Sequence, residues 1–327
     1  MENNQPKIGV IGVGHLGQHH VKHLVEMDNL SFSGIYDKNK ARSEEIASTY
    51  RVKSFYSLEK LIDKSDGLTI VTPTADHFHT ALECIQKGKS VFIEKPISHS
   101  VQSADSLLSA AEENNVFIQV GHIERFNPAL LAVKDCQLNP KFIEVQRLAP
   151  YTSRGTDVPV VLDLMTHDID ILLSFVDSGV KSVAATGLSI MTDSVDIAHA
   201  RIRFENGTVA SLTSSRIAKD KVRKIKLFQK NMYVTIDMLL NLTEVYQVVN
   251  KDSTHTELTA PLNYKGTQKE IVYKKPTVLH NDALKMELEN FADSLRGNST
   301  PAVTGISGRN VLAIAEQIHD LILEDLH

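Results

Sequence analysis

Asp163 and His167 stand four residues apart in a stretch, Val160–Val176, that is otherwise strongly apolar: Leu162, Leu164, Met165, Ile169, Ile171, Leu172, Leu173 and Phe175. The pattern predicts a helix, on which that spacing puts both side chains on one face. Asp170 extends the stripe by a further turn. Polar groups on so apolar a helix must find partners or face a cavity. An imidazole titrates at about 6.5 and moves protons near neutral pH. A lone buried histidine is more often a structural hydrogen-bonder, but two carboxylates beside it make the stripe a candidate site. Asp163 and His167 would supply only two of zinc's four ligands. No second cluster of His, Cys or carboxylate residues stands elsewhere, so no metal is expected.

A second set lies near the N-terminus. Gly12-Val13-Gly14-His15-Leu16-Gly17 fits G-x-G-x-x-G between a buried strand, Lys7–Val13, and a predicted helix, His15–Met27. The first glycine of such a turn permits the tight bend, the second lets the backbone approach a pyrophosphate, and the third allows close helix–sheet packing. The diphosphate then meets free N–H groups and the positive end of the helix dipole. Asp37 ends the next strand, 20 residues after Gly17, where a carboxylate binds the adenosine ribose hydroxyls. A carboxylate there repels a 2′-phosphate, so NAD is expected over NADP, with Lys38 and Arg42 near enough to weaken the preference. No Walker-type lysine follows the glycines, which excludes that class of NTPase.

These groups need elements to hold them. Strands at Leu30–Tyr36, Leu68–Thr72, Ser90–Ile93 and Val116–Gly121 alternate with helices at Ala41–Tyr50, Asp76–Lys87 and Val101–Asn114. The alternation predicts βαβ units and a mainly parallel sheet, an α/β Rossmann domain. Ligands bind beyond the carboxyl ends of such strands. Thr72-Pro73 and Glu94-Lys95-Pro96 both follow strands and so face that edge. By itself Lys95 is an ordinary surface lysine after a strand; Pro96 biases it towards extended backbone. From Val180 to Tyr273 the sequence is strand-like, with an Asn206-Gly207 hairpin signal. Helices at Asp282–Arg296 and Ser307–Leu323 close the chain. Residues 1–122 are expected to form a NAD-binding Rossmann domain. Residues 123–327 are expected to form a C-terminal α+β domain with a mostly antiparallel sheet, for substrate binding and oligomerisation.

The 327 residues suffice for two cores. A net charge of −5 argues against nucleic acid. No apolar run is long enough to span a bilayer, and the N-terminus lacks the basic start and apolar stretch of a signal peptide. Cys84 and Cys136 have no CxxC partner and suit a reducing compartment. A cytoplasmic protein is expected. One sheet face needs cover, which implies a homodimer or homotetramer.

Several motifs together resemble the glucose–fructose oxidoreductase/inositol dehydrogenase (Gfo/Idh/MocA) family. They are the glycine turn, Thr72-Pro73-Thr74 with His77, Glu94-Lys95-Pro96, Asp163-Leu164-Met165-Thr166-His167, and Pro301-Ala302-Val303-Thr304-Gly305 before the last helix. The resemblance covers essentially the whole chain. It implies an NAD-dependent dehydrogenase acting on a sugar or polyol CH–OH, with Lys95, Asp163 and His167 as the catalytic trio. Which of Lys95 and His167 takes the proton first stays open. It implies cofactor contacts from Gly12, Gly14, His15, Leu16, Gly17, Asp37, Thr72, Pro73, His77, Glu94 and Lys95, although His77 and His79 equally suit a helix start. Gly121-His122-Ile123-Glu124-Arg125-Phe126-Asn127-Pro128 resembles a stretch of one bacterial subgroup, some of whose members act on the 3-hydroxyl of UDP-N-acetylglucosamine. Arg125, Arg147 and Arg154 are then candidates for substrate binding, since arginine recognises phosphate; solvated or salt-bridged arginines are the plainer alternative. A free-sugar or inositol-like dehydrogenase and a non-catalytic NAD-sensing protein are the competing functions.

Overall fold

The computed structural model describes residues 5–152, 158–251, 258–264 and 267–326. The chain divides into two compact units, Met1–Phe126 with Asp282–Leu312, and Asn127–Asn281 with Ala313–His327.

The first unit holds five parallel strands in the order β2-β1-β3-β4-β5: β1 Lys7–Ile11, β2 Ser31–Tyr36, β3 Gly67–Ile70, β4 Ser90–Glu94 and β5 Ile118–Gly121. Helices α1 Gly17–Glu26, α2 Lys40–Tyr50, α3 Leu58–Asp63, α4 Thr74–Gln86 and α5 Val101–Glu113 connect them. The strands are largely buried, β3 and β5 entirely, as a sheet covered on both faces requires, and the edge strand β2 is the most open. A single parallel bridge, Ile35 to Ser54, lies beyond β2.

The expected boundary at residue 122 does not account for one part of this unit. Helix α8, Ala283–Leu295, joins it, with Leu288, Phe291 and Ala292 packed among Ile8, Val10, Val21 and Leu24. Phe291 meets Phe92 and Phe117 edge-on at 5.9 and 5.7 Å. The apolar face of α8 fits bare sheet surface there: a Cβ at Gly67 would lie 2.6 Å from Leu295. Val303 accepts a hydrogen bond from Val120 N (3.0 Å), covering the β5 edge.

The second unit is built on nine strands in the order β13-β14-β12-β11-β10-β6-β9-β8-β7. They are β6 Phe142–Leu148, β7 Val180–Leu188, β8 Ile197–Phe204, β9 Val209–Ser215, β10 Val222–Gln229, β11 Met232–Asp237, β12 Leu242–Asn250, β13 Leu258–Tyr264 and β14 Thr267–Lys274. All neighbours pair antiparallel except β6 with β9. The turn at Asn206-Gly207 forms as expected, with Gly207 at φ +83. Helix α6 is short, Pro128–Leu131, and packs on β11 and β12. The expected helix Val160–Val176 is a π-helical turn, Val161–Met165, running into α7, Thr166–Phe175. The last helix, α9, spans Gly305–Leu326.

A buried ion pair fastens α7 to the middle of this sheet. Arg147 of β6 donates from Nε to both carboxylate oxygens of Asp168 (2.9 and 3.0 Å), with Nη2 2.8 Å from Oδ1. The side chains are 3% and 1% exposed. Arg147, expected to bind substrate phosphate, is therefore committed to a structural partner: its inward position on the strand leaves a buried charge that only another buried charge satisfies. Removing one partner of such a pair costs about 3–5 kcal/mol. Arg147→Ala is expected to lower unfolding stability by about that amount, measured by urea denaturation. A loss below about 1 kcal/mol, the range of a surface pair, would count against it.

Candidate active site and dinucleotide pocket

The glycine loop follows β1. Gly12 has φ +87, and a Cβ there would lie 2.7 Å from the Val71 carbonyl oxygen. A Cβ on Gly17 would run into the Gly12 carbonyl. Gly14 differs: a Cβ would meet nothing within 4 Å. Gly12 and Gly17 are thus demanded by the chain's own packing, while Gly14 opens backbone to an incoming group. Gly14, His15 and Leu16 are exposed. No side chain caps the N-terminus of α1, and its first turn has no acidic residue, which leaves N–H groups and dipole for an anion.

Asp37 follows β2. Its Oδ2 accepts from Val13 N and its Oδ1 from Asn39 N, each at 2.8 Å. One carboxylate therefore ties the glycine loop to the start of α2. A cavity of about 420 Å³ opens here, lined in part by Gly12, Gly14, Asp37, Thr72, Pro73 and Asp76. Thr72 Oγ1 is buried with no partner among the described residues. Open Gly14, the Asp37 carboxylate and this hydroxyl line one cavity and fit the adenosine–diphosphate half of NAD. The two cations nearby are already engaged. Lys38 Nζ pairs with Asp76 at 2.7 Å, a hydrogen bond that raises the lysine's pKa. Arg42 donates to Val13 O (3.0 Å) and Gln18 Oε1 (3.2 Å) and pairs with Glu45 (2.9 Å).

Lys95 follows β4, on a cis peptide to Pro96. Glu94 and His77, expected at the cofactor, have other partners. Glu94 Oε1 lies 3.0 Å from His20 Nε2, and its Oε2 accepts from Lys95 N at 3.3 Å. His77 is 1% exposed, with Nδ1 2.8 Å from Pro96 O and Nε2 2.9 Å from Thr72 O. Both ring nitrogens face backbone carbonyls, because α4 starts right after Thr72-Pro73 and carries the ring inward. His77 thus bridges the loops after β3 and β4. Arg125 lies in the 3-10 turn Ile123–Phe126 beside buried His122 and Glu124.

In the second unit the π-helical turn carries Asp163, and α7 carries His167; both are half-buried. Asp170 is fully buried. A π-turn in an α-helix is uncommon and tends to mark functional sites. It rotates Asp163 relative to where an uninterrupted helix would put it. Arg154 lies outside the described residues. His20 was not among the expected residues. Its signal was present: it shares the buried side of α1 with Gly17, Val21 and Leu24.

Comparison with known proteins places this geometry. Residues 6–122 match the oxidoreductase family with NAD-binding Rossmann fold, and 142–233 match the GFO/IDH/MocA C-terminal domain. The UDP-N-acetylglucosamine 3-dehydrogenase of Acidithiobacillus ferrooxidans is 33% identical over 95% of this chain and 96% of that one. The chain belongs to the Gfo/Idh/MocA family. A solved structure of that enzyme superposes with TM-score 0.88 at 31% identity, covering 99% of both chains. A scyllo-inositol 2-dehydrogenase (NAD(+)) of Bacillus subtilis is 26% identical over 93% of this chain and 90% of that one. As a Gfo/Idh/MocA protein, the chain is an NAD-dependent oxidoreductase, and the non-catalytic sensing alternative falls away. Among the described residues no helix is long and apolar enough to cross a membrane.

With the Asp37 carboxylate lining the cavity and Lys38 and Arg42 already paired, NADH should bind more tightly than NADPH. Asp37→Ser should narrow the gap. Fluorescence titration of both cofactors checks this; equal or tighter NADPH binding by the unaltered protein would refute it.

Proposed function

We propose that this protein oxidises the 3-hydroxyl of a UDP-linked N-acetyl sugar, with UDP-N-acetylglucosamine the leading substrate. What carries the proposal is likeness to the Acidithiobacillus enzyme along almost the full length of both chains. The His122–Pro128 stretch supports it. Bound NAD supplies the hydride acceptor. The chain's own groups handle the proton and the charge. His167 takes the hydroxyl proton as hydride leaves the carbinol carbon. Lys95 donates to the same oxygen and offsets negative charge on it, or receives the proton first and passes it on. Asp163, four residues before His167, orients the imidazole. Arg125 is the remaining described arginine of the original three for the diphosphate. Remote binding energy of that kind orients the reacting hydroxyl. The first unit then serves cofactor binding, and the second serves substrate binding and assembly.

Lys95→Ala and His167→Ala should each lower turnover by roughly 10²–10⁴-fold while NADH binding changes little. Free N-acetylglucosamine should react far more poorly than its UDP form, read as NADH production with the keto product trapped. Clear turnover of inositol or a free sugar, with none of UDP-N-acetylglucosamine, would favour the inositol-dehydrogenase alternative.

We also place the protein in the cytoplasm, as a homodimer or homotetramer. Its two cysteines are unpaired, as a reducing compartment expects. For assembly, one sheet face carries Phe142, Phe228, Tyr233, Tyr246 and Tyr273 in direct cross-strand register over five strands. Successive ring centroids are 4.8–5.8 Å apart. None of the five is fully buried, and such a row suits a second copy of the same face. Phe228→Glu should shift the mass seen by light scattering towards monomer. A monomeric unaltered protein would overturn the assembly proposal.

A further inference from the structure

Lys95 lies between two residues that are each held by a buried imidazole. On one flank is Glu94, the last residue of β4. Its Oε1 accepts from His20 Nε2 at 3.0 Å, and His20 is 1% exposed. The His20 ring stands edge-on to Phe92, centroids 5.4 Å apart, so packing fixes its plane. Its Nδ1 is buried without a partner among the described residues, so Glu94 is the polar group that orients it. The carboxylate packs against bare backbone: a Cβ at Gly121 would lie 2.9 Å from Glu94 Oε2. That same Oε2 accepts from the Lys95 amide. On the other flank is Pro96, whose carbonyl oxygen lies 2.8 Å from His77 Nδ1, while His77 Nε2 lies 2.9 Å from Thr72 O.

The origin of the two imidazoles gives the arrangement its meaning. His20 comes from α1, which starts at the glycine loop, and His77 from α4, which starts after Thr72-Pro73. These two helices each send one buried ring to a residue beside Lys95, His20 to the Glu94 side chain and His77 to the Pro96 carbonyl. We propose that His20 and His77 are positioning residues that fix the Lys95 backbone relative to the dinucleotide loops, His20 acting through Glu94. This rests on the catalytic role proposed for Lys95. Without His20, the half-buried Glu94 Oε1 would lose the hydrogen bond that holds it. The carboxylate would swing away and release the Lys95 amide. A misplacement near 1 Å is enough to lower a rate about 10²-fold.

Two readouts test it. The first needs no substrate: hydrogen–deuterium exchange of the peptide over residues 91–98 in the full-length protein. His20→Leu should speed exchange there about tenfold or more, the opening expected when an amide loses its acceptor and one hydrogen bond's worth of protection. The peptides of β1 and β3 should be unchanged. His77→Leu should act the same way from the other flank. His20→Gln, whose amide nitrogen can reach Glu94, should restore protection. Should the leucine variant not fold, His20→Asn, too short to reach Glu94, takes its place. The second readout is turnover. His20→Leu should lower kcat about 10–100-fold with KM for NAD within about twofold, and Glu94→Gln added to it should cost little more, since both changes break one chain of contacts. Unchanged exchange in both leucine variants overturns the pinning. Full kcat in His20→Leu, or additive effects with Glu94→Gln, overturns the positioning role. If the unaltered protein oxidises no sugar tested, the functional proposal fails, and the exchange result alone decides whether the imidazoles pin the turn.

Discussion

Every chemical feature of the first unit depends on one constraint, that its five strands run the same way and stop at nearly the same level. The register shows it. Ile11 pairs with Tyr36 and with Ile70, Ile70 with Ile93, and Glu94 with Gly121. The next residues on the five strands are Gly12, Asp37, Val71-Thr72, Lys95 and His122. Parallel pairing therefore gathers, on one edge, groups scattered over more than 100 residues of sequence. Antiparallel hairpins would have sent alternate loops to opposite edges. Parallel pairing also demands a crossover between strands. The helices that supply it begin at this same edge and point their N–H groups towards it.

The second unit solves a different problem with a different sheet. Its candidate groups ride on a helix rather than on strand ends. That helix must then be held against the sheet more firmly than apolar contact alone provides. Ile169, Ile171 and Leu172 bury the helix, but apolar contact is indifferent to small slides along the axis. The Arg147–Asp168 pair is directional and fixes the register of α7 on β6. Buried pairs are weak sources of stability yet strong markers of position, and here the position concerns His167, one residue before Asp168.

How much of this was legible in the sequence follows from what periodicity does and does not encode. The central parallel strands were plain because both faces are covered, so β1, β3 and β4 read as short, mostly apolar runs. The Asn206-Gly207 hairpin was plain because the turn demands φ > 0. Strand β6 was missed: Phe142–Leu148 carries Glu144, Gln146 and Arg147, and its parallel pairing to β9 is a long-range choice that no local window contains. The π-turn was missed because one extra residue in a helical turn leaves the apolar pattern almost intact. Helix α8 was read correctly as a helix and assigned with its sequence neighbours. Its apolar face matches bare sheet 160 residues and more upstream, and chain order is silent about that. Gly12, Asp37, Thr72 and Lys95 follow the ends of β1, β2, β3 and β4. Arg147 stands inside β6 paired with Asp168, and residue type cannot say whether a guanidinium already has a partner.

The polar groups buried in the first unit extend the same logic. His20, His77, His122 and Glu124 are nearly inaccessible, although burying such groups is costly unless they are hydrogen-bonded. They stand on α1 and α4 or just after β5, close to the strand ends. An apolar core would be cheaper there, so stability alone does not explain the placement. A lysine that must meet one oxygen at one point gives up side-chain freedom of about 2 kcal/mol. If its backbone also wandered, the cost of each encounter would rise further. Hydrogen bonds are directional and apolar packing is not. A turn held by imidazole and carboxylate contacts therefore keeps its place while ligands come and go, and the ordering cost is met once, when the chain folds.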